Sequence, residues 1–241
     1  MVLSPIDFLN GSFSLIFVSI TIIVGLKIAS KYFEIKQRIF WLVGLGWAGI
    51  CSAWYPSTIA FLFVLITGKG LEPIMYFFIG NLVLHLAATL YITGITEMIY
   101  HEKQKLIVAI FVIIGIIYNI YFYYYLFTDL SEIGILEGYF DVTYVRIVRY
   151  YLIFYIAILS VFTLLLARNS LKSDQIILKW KGIFLVSASI CYIIGAILDS
   201  AFILTEITLI LARVILISSS ILFYIGFMLP EFIKKRIIKS K

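Results

Sequence analysis

The stretch TEITLILARVILISSSILFYIGFMLP, residues 205–230, is apolar for the length of a bilayer and is followed at once by the basic EFIKKRIIKSK, residues 231–241. About 20 apolar residues suffice to cross a hydrocarbon core. Arg213 nevertheless stands inside this run. On insertion scales an arginine at mid-membrane costs about 2.5–3.5 kcal/mol, so it must face a partner or a watery cavity. Glu206, Arg213 and Ser220 recur with heptad spacing and fall on nearly one helical face. The other hydrophobic segments are the wall around that face.

Composition agrees. Of 241 residues 63% are hydrophobic and only 13% charged, with a mean hydropathy of +1.10. A soluble domain carries about 25% charged residues, so this chain cannot cover a water-facing surface and belongs in a membrane. The fold class is an all-α, polytopic bundle of seven transmembrane helices (residues 1–230) with a basic amphipathic tail (231–241). The spans are expected near 9–29, 39–67, 72–98, 105–127, 143–167, 181–203 and 206–229. Pro56, beside Trp54 and Tyr55, is expected to kink the long second span or mark its interface. The first span is preceded by no basic segment and followed by no small-residue cleavage site, so it reads as a span and not as a leader. Cys51 and Cys191 both sit in apolar segments, as small core residues do.

Lys and Arg gather in alternate loops and in the tail; the exceptions are Lys69, Arg146, Arg149 and Arg213. By the positive-inside rule this places the N-terminus outside and the C-terminus in the cytoplasm of a multi-pass cell-membrane protein. The fourth loop, with Asp129, Glu132, Glu137 and Asp141 and no Lys or Arg, lies on the opposite side. Its glycines Gly134 and Gly138 imply turns that fold it back on the bundle. The net charge of +6 thus reflects topology, which argues against nucleic acid as a partner. The tail alternates Phe232, Ile233, Ile237 and Ile238 with Lys234, Lys235, Arg236 and Lys239, a pattern for a helix lying on anionic lipid headgroups. It serves as a topological anchor or as a docking site for a cytoplasmic partner.

Three spans carry polar faces. Asn81, His85, Thr89 and Thr93 form one stripe in the third, and Ser187, Cys191, Gly195 and Asp199 another in the sixth; Arg146 and Arg149 open the fifth. Such stripes glue helices together or line a site. The candidate ligand-binding residues are Asn81, His85, Arg146, Arg149, Asp199, Glu206 and Arg213. Arg146, Arg149, Asp199, Glu206 and Arg213 all fall in the outer half of their spans. Three arginines with two carboxylates suit a small anionic or zwitterionic ligand; alternatively Asp199 and Glu206 only neutralise Arg213. The tyrosines of YNIYFYYY (118–125) and Tyr139, Tyr144, Tyr150 and Tyr151 form an interfacial belt or line an outward pocket.

The seventh span contains no lysine, which excludes a retinal Schiff base, and no cofactor is expected. One intramembrane histidine is too few for a seven-helix zinc hydrolase, and no HExxH, GxSxG, GxGD or Pro-Gln signature occurs. With WLVGLGWAGICSAW in the second span, KGIFL entering the sixth and ILFYIGFMLP closing the seventh, the chain resembles the seven-helix sensor modules at the N-terminus of prokaryotic membrane histidine kinases, and stand-alone proteins like them. It departs from them in ending at Lys241 without an output domain. The resemblance implies a receptor- or sensor-like protein; the charges in the outer halves of the spans and the basic tail add the expectation of an outward polar cavity formed by helices 3, 5, 6 and 7 whose occupation shifts helices 6 and 7. A small secondary transporter is the alternative and a membrane-embedded lipid or isoprenoid enzyme a third reading. Homo-oligomerisation is left open by the residues.

Overall fold

In lipid only structures that satisfy their own backbone can span, which leaves helices for a chain of this pattern. The computed structural model, which describes residues 3–201 and 205–239, has seven helical spans long and apolar enough to cross a membrane: Pro5–Ile35, Arg38–Thr67, Pro73–Ile99, His101–Thr128, Arg146–Leu171, Ile176–Ser200 and Glu206–Met228. This is a membrane protein. The last two residues of the expected sixth span, 202 and 203, and the final two of the tail lie outside the described residues.

Two of the spans are interrupted. The second consists of α2 (Arg38–Ile50) and α3 (Tyr55–Thr67), joined by a 3-10 turn over Cys51–Trp54. Pro56 sits in the first turn of α3, where it has no amide to donate. The third consists of α4 (Pro73–Asn81) and α5 (Leu84–Ile99). At that break the Asn81 amide donates back to the Phe77 carbonyl at 3.1 Å, a local bond that competes with the helical ladder. The remaining elements are α1 (Pro5–Ile35), α6 (Gln104–Thr128), α7 (Arg146–Leu171), α8 (Ile176–Ala201), α9 (Glu206–Met228) and the C-terminal α10 (Glu231–Lys239). All four prolines lie at helix boundaries.

Packing follows from which helices meet. α1 lies against α2, α3 and α9; α2 against α5; α5 against α7; α7 against α8; and α8 against α9. Spans one, two, three, five, six and seven therefore close a ring. The fourth span, α6, leans on the third from outside, and only 22% of its most apolar window is buried, against 61% for the second. Ile66, Ile120, Ile207 and other large apolar side chains remain exposed around the belt, a surface that suits lipid and not water. The axis of the ring is aromatic. Trp47 stacks on Phe223 with centroids 3.5 Å apart, and Tyr91 and Tyr192 close around the indole.

The fourth loop is a β-hairpin laid across one end of the ring. Strands β1 (Gly134–Glu137) and β2 (Asp141–Tyr144) pair antiparallel, and Gly138 takes the left-handed φ of 65° that the turn demands. The turn is pinned from below. The Phe140 carbonyl accepts from Ser57 Oγ at 2.9 Å and from Tyr76 Oη at 2.8 Å, while the Phe140 and Ile133 side chains are buried. α10 lies at the opposite end, with Ile237 buried and Phe232 and Ile238 exposed.

Close approach of α1 and α2 rests on Gly44, where a Cβ would stand 2.4 Å from the Ala29 amide nitrogen and 2.5 Å from the Gly25 carbonyl. Backbone cannot yield there. Gly44→Leu is expected to lower the unfolding temperature in detergent more than Trp47→Ala, which leaves a cavity worth about 3–5 kcal/mol. Thermal unfolding followed by near-ultraviolet circular dichroism checks the order.

Candidate functional site

Arg213 comes from the third turn of α9, whose N-terminus is closed by a reciprocal Thr205–Thr208 capping box. It is 2% exposed. Its Nη1 donates to Asp199 Oδ2 at 3.2 Å and its Nη2 to Asn10 Oδ1 at 3.0 Å. Asp199 Oδ2 also accepts from the Trp54 indole at 2.6 Å, and the guanidinium lies 6.0 Å from the Trp54 ring centroid. Ser14 donates to Asn10 from the next turn of α1. Four elements thus converge on one buried ion pair: α1, the 3-10 turn of the second span, α8 and α9. The pairing is incomplete. Asp199 Oδ1 and Arg213 Nε are buried and find no hydrogen-bond partner among the described residues.

Beside this pair is a cavity of about 120 Å³ under the hairpin. Trp54, Tyr76, Tyr155, Tyr192, Asp199 and Arg213 line it from the bundle, and Phe140, Asp141, Val142 and Tyr144 from the hairpin. Tyr155, only 3% exposed, has a hydroxyl without a partner. Burial first, and the Asp199 carboxylate after it, push the Asp141 carboxyl above its usual range, against the Val142 amide that donates to it at 2.9 Å. Asp141 has no ion-pair partner among the described residues. The cavity is therefore contributed by the second, third, fifth, sixth and seventh spans and the hairpin. The second span was not among the expected walls, and of the hairpin residues that line the cavity only Tyr144 was a candidate for lining a pocket.

The seven expected site residues occupy four separate places. Asp199 and Arg213 share the cavity. Asn81 and His85 flank the break in the third span and face α6 and α7. Tyr118 donates to Asn81 Oδ1 at 2.5 Å, His85 Nδ1 lies 2.7 Å from Tyr151 Oη, and the two tyrosines stack at 3.6 Å. His85 fits against α6 because position 115 is glycine. Arg146 is exposed and pairs with Glu132 at 2.9 Å, and Arg149 lies exposed near it beside Tyr121, Tyr125 and Tyr150. Glu206 is exposed at the start of α9, in a shallow cleft with Pro5, Phe8 and Leu65. It does not reach Arg213. The expected heptad face of α9 therefore divides: Glu206 is at the surface, Arg213 in the ion pair, and Ser220 2.8 Å from Thr21 Oγ1 in the packed centre.

Asn10, Trp54, Tyr155 and Asp141 escaped the reading of the sequence as a site. Asp141 registered only as a loop acid and Trp54 only as a neighbour of Pro56. Among the described residues no three His, Cys, Asp or Glu side chains converge as a metal site. No family model, curated protein or solved structure matches the chain.

Two outcomes follow from the charges. Removing one member of a buried pair strands the other, so Arg213→Met and Asp199→Leu are each expected to cost about 3–5 kcal/mol, with the double substitution recovering much of the loss. A double-mutant cycle on unfolding in mixed micelles measures it. For Asp141 the sign is opposite. A carboxyl whose folded pKa lies above its unfolded value weakens the fold once ionised. Asp141→Asn should therefore raise the unfolding temperature above the folded pKa, and the gain should fade on acidification and vanish below the unfolded value. Unfolding temperatures recorded across an acidic pH series check this.

Proposed function

We propose that this chain is a receptor-like membrane protein that holds a small ligand in the cavity beneath the hairpin and relays the event along α8 and α9. The observation that carries the reading is the coincidence of that cavity with unpartnered polar atoms on three lining residues, Asp199, Arg213 and Tyr155. Leaving a buried polar group unmade costs about 1–3 kcal/mol, a cost that ligand or water contacts would offset. In this reading the hairpin end is outside and α10 lies on the cytoplasmic face of the cell membrane, as the distribution of Lys and Arg favours. Arg213 sits at one end of α9, and α10 follows the other after Leu229 and Pro230. At that far end Lys181 of α8 donates to the Phe227 carbonyl of α9 at 3.0 Å, so the two helices are tied below as well as above. A shift at the ion pair has a direct mechanical route to the tail, where a cytoplasmic partner would read it. The resemblance to seven-helix sensor modules points the same way.

The interruptions at Cys51–Trp54 and Leu82–Val83 favour a second reading, transport, because broken helices beside a cavity are a common device of carriers. Uptake into liposomes that requires both His85 and Arg213 would support it.

The receptor reading is tested without knowing the ligand. Spin labels at Lys179 and Lys235, in a background lacking Cys51 and Cys191, report the distance from α8 to α10 by double electron–electron resonance. Arg213→Gln, which loosens the ion pair, is expected to shift or broaden that distribution. An unchanged distribution in a protein with intact near-ultraviolet circular dichroism would reject the coupling.

A further inference from the structure

The charge expected from the sequence and the charge found in the cavity differ in sign. Three arginines with two carboxylates suit an anionic or zwitterionic ligand, but two of those arginines, Arg146 and Arg149, lie exposed in a separate cleft and do not line the cavity. What lines it is one guanidinium, Arg213, and two carboxylates, Asp199 and Asp141. The guanidinium is engaged through Nη1 with Asp199 and Nη2 with Asn10 and lies by the Trp54 ring, which leaves only its Nε without a partner among the described residues. Asp141 is left over, and the rest of the lining is largely aromatic and aliphatic: Tyr76, Phe140, Tyr144, Tyr155 and Tyr192 with Ile50, Leu152 and Ile156 among the apolar members.

An unpaired carboxylate among aromatic rings in a confined space is the chemistry of an ammonium site. Ring faces attract a cation by their quadrupole, worth about 0.5–1 kcal/mol each when exposed and about 2 or more when water is excluded. An anion would meet the same faces and the same carboxylate repulsively. Tyr155 Oη and Asp199 Oδ1, both unpartnered, offer further oxygen acceptors. Resting on the receptor reading of this cavity, we propose that its ligand is a small organic ammonium ion, with Asp141 as its counter-ion and the tyrosines and Phe140 as its cage. The hairpin then acts as the lid that brings the counter-ion.

Asp141 faces Asp199 of α8 and Arg213 of α9 across the cavity, and Glu137, its register partner, across the hairpin. Glu137 is itself engaged by the Thr143 hydroxyl at 2.8 Å. Cation affinity should therefore rise with pH through the titration of Asp141 and flatten above it.

Isothermal titration calorimetry of the full chain in dodecyl maltoside, with probes of similar bulk and different charge, tests the proposal. Tetramethylammonium is expected to bind saturably. Tert-butanol and pivalate should bind about tenfold more weakly or not at all, and Asp141→Asn should weaken tetramethylammonium by about tenfold or more while the protein stays folded. Equal or tighter binding of pivalate or tert-butanol overturns the ammonium assignment and leaves the receptor reading standing. Tetramethylammonium binding that survives both Asp141→Asn and Tyr155→Phe unchanged places the cation elsewhere and also overturns it. If no probe binds and Arg213→Gln leaves the α8–α10 distances unchanged, the receptor reading fails with it.

Discussion

A guanidinium held away from water inside a membrane helix has to be satisfied by protein, and one end of this bundle is arranged to do so. Arg213 draws Asp199 from the neighbouring helix and Asn10 from the first, and Asp199 in turn draws the Trp54 indole. These contacts bring the first, second, sixth and seventh spans to one point. The axis below it is filled by the Trp47–Phe223 stack with Tyr91 and Tyr192 around it. The ring thus has a polar clamp above an aromatic core. Desolvation makes such a clamp a poor source of net stability, but a mispaired alternative is costly, so it selects one arrangement of helices over others.

The geometry of the clamp also explains why a cavity forms beside it. Trp54 reaches Asp199 from a 3-10 turn, not from a regular helix, and that turn ends where Pro56 restarts the ladder. The third span breaks beside it at Leu82 and Val83. The hairpin covers the space beside these two breaks instead of filling it. The Phe140 carbonyl, held by Ser57 and Tyr76, fixes the hairpin over the opening and carries Asp141 to its rim. A carboxylate disfavoured by burial is an odd thing to place there unless something else benefits from it, a pattern familiar from sites that trade stability for function.

Much of the fold was legible because its cause is local. Apolar runs of bilayer length, prolines at their boundaries and the turn glycine Gly138 act within a few residues, and the seven spans and the folded-back loop appear where those signals lie; Gly134, also expected in a turn, opens strand β1 instead. Pro56 marked the discontinuity in the second span; the break in the third follows Gly80 and Asn81, a weaker signal because neither residue by itself ends a helix inside an apolar run. The site was less legible. Asp199 and Arg213 stood out as charges in apolar segments and do meet, yet Glu206, on the same heptad face as Arg213, ends at the surface. Spacing defines a face but not the depth at which each residue emerges.

By itself, then, the chain determined a membrane bundle of seven helices and marked Arg213 as a charge in need of a partner, because hydropathy and the cost of a buried charge depend on residue type and local spacing. Which residues became partners was decided only by tertiary packing. Asn10 and Trp54 are far along the chain from Asp199 and Arg213 and meet them because the ring closes first span on seventh. Asp141 joins them only because a hairpin folds over that end. The charge of the cavity depends on this closure, since it leaves Arg146 and Arg149 outside and places Asp141 at the rim, a balance that no count of arginines along the sequence contains.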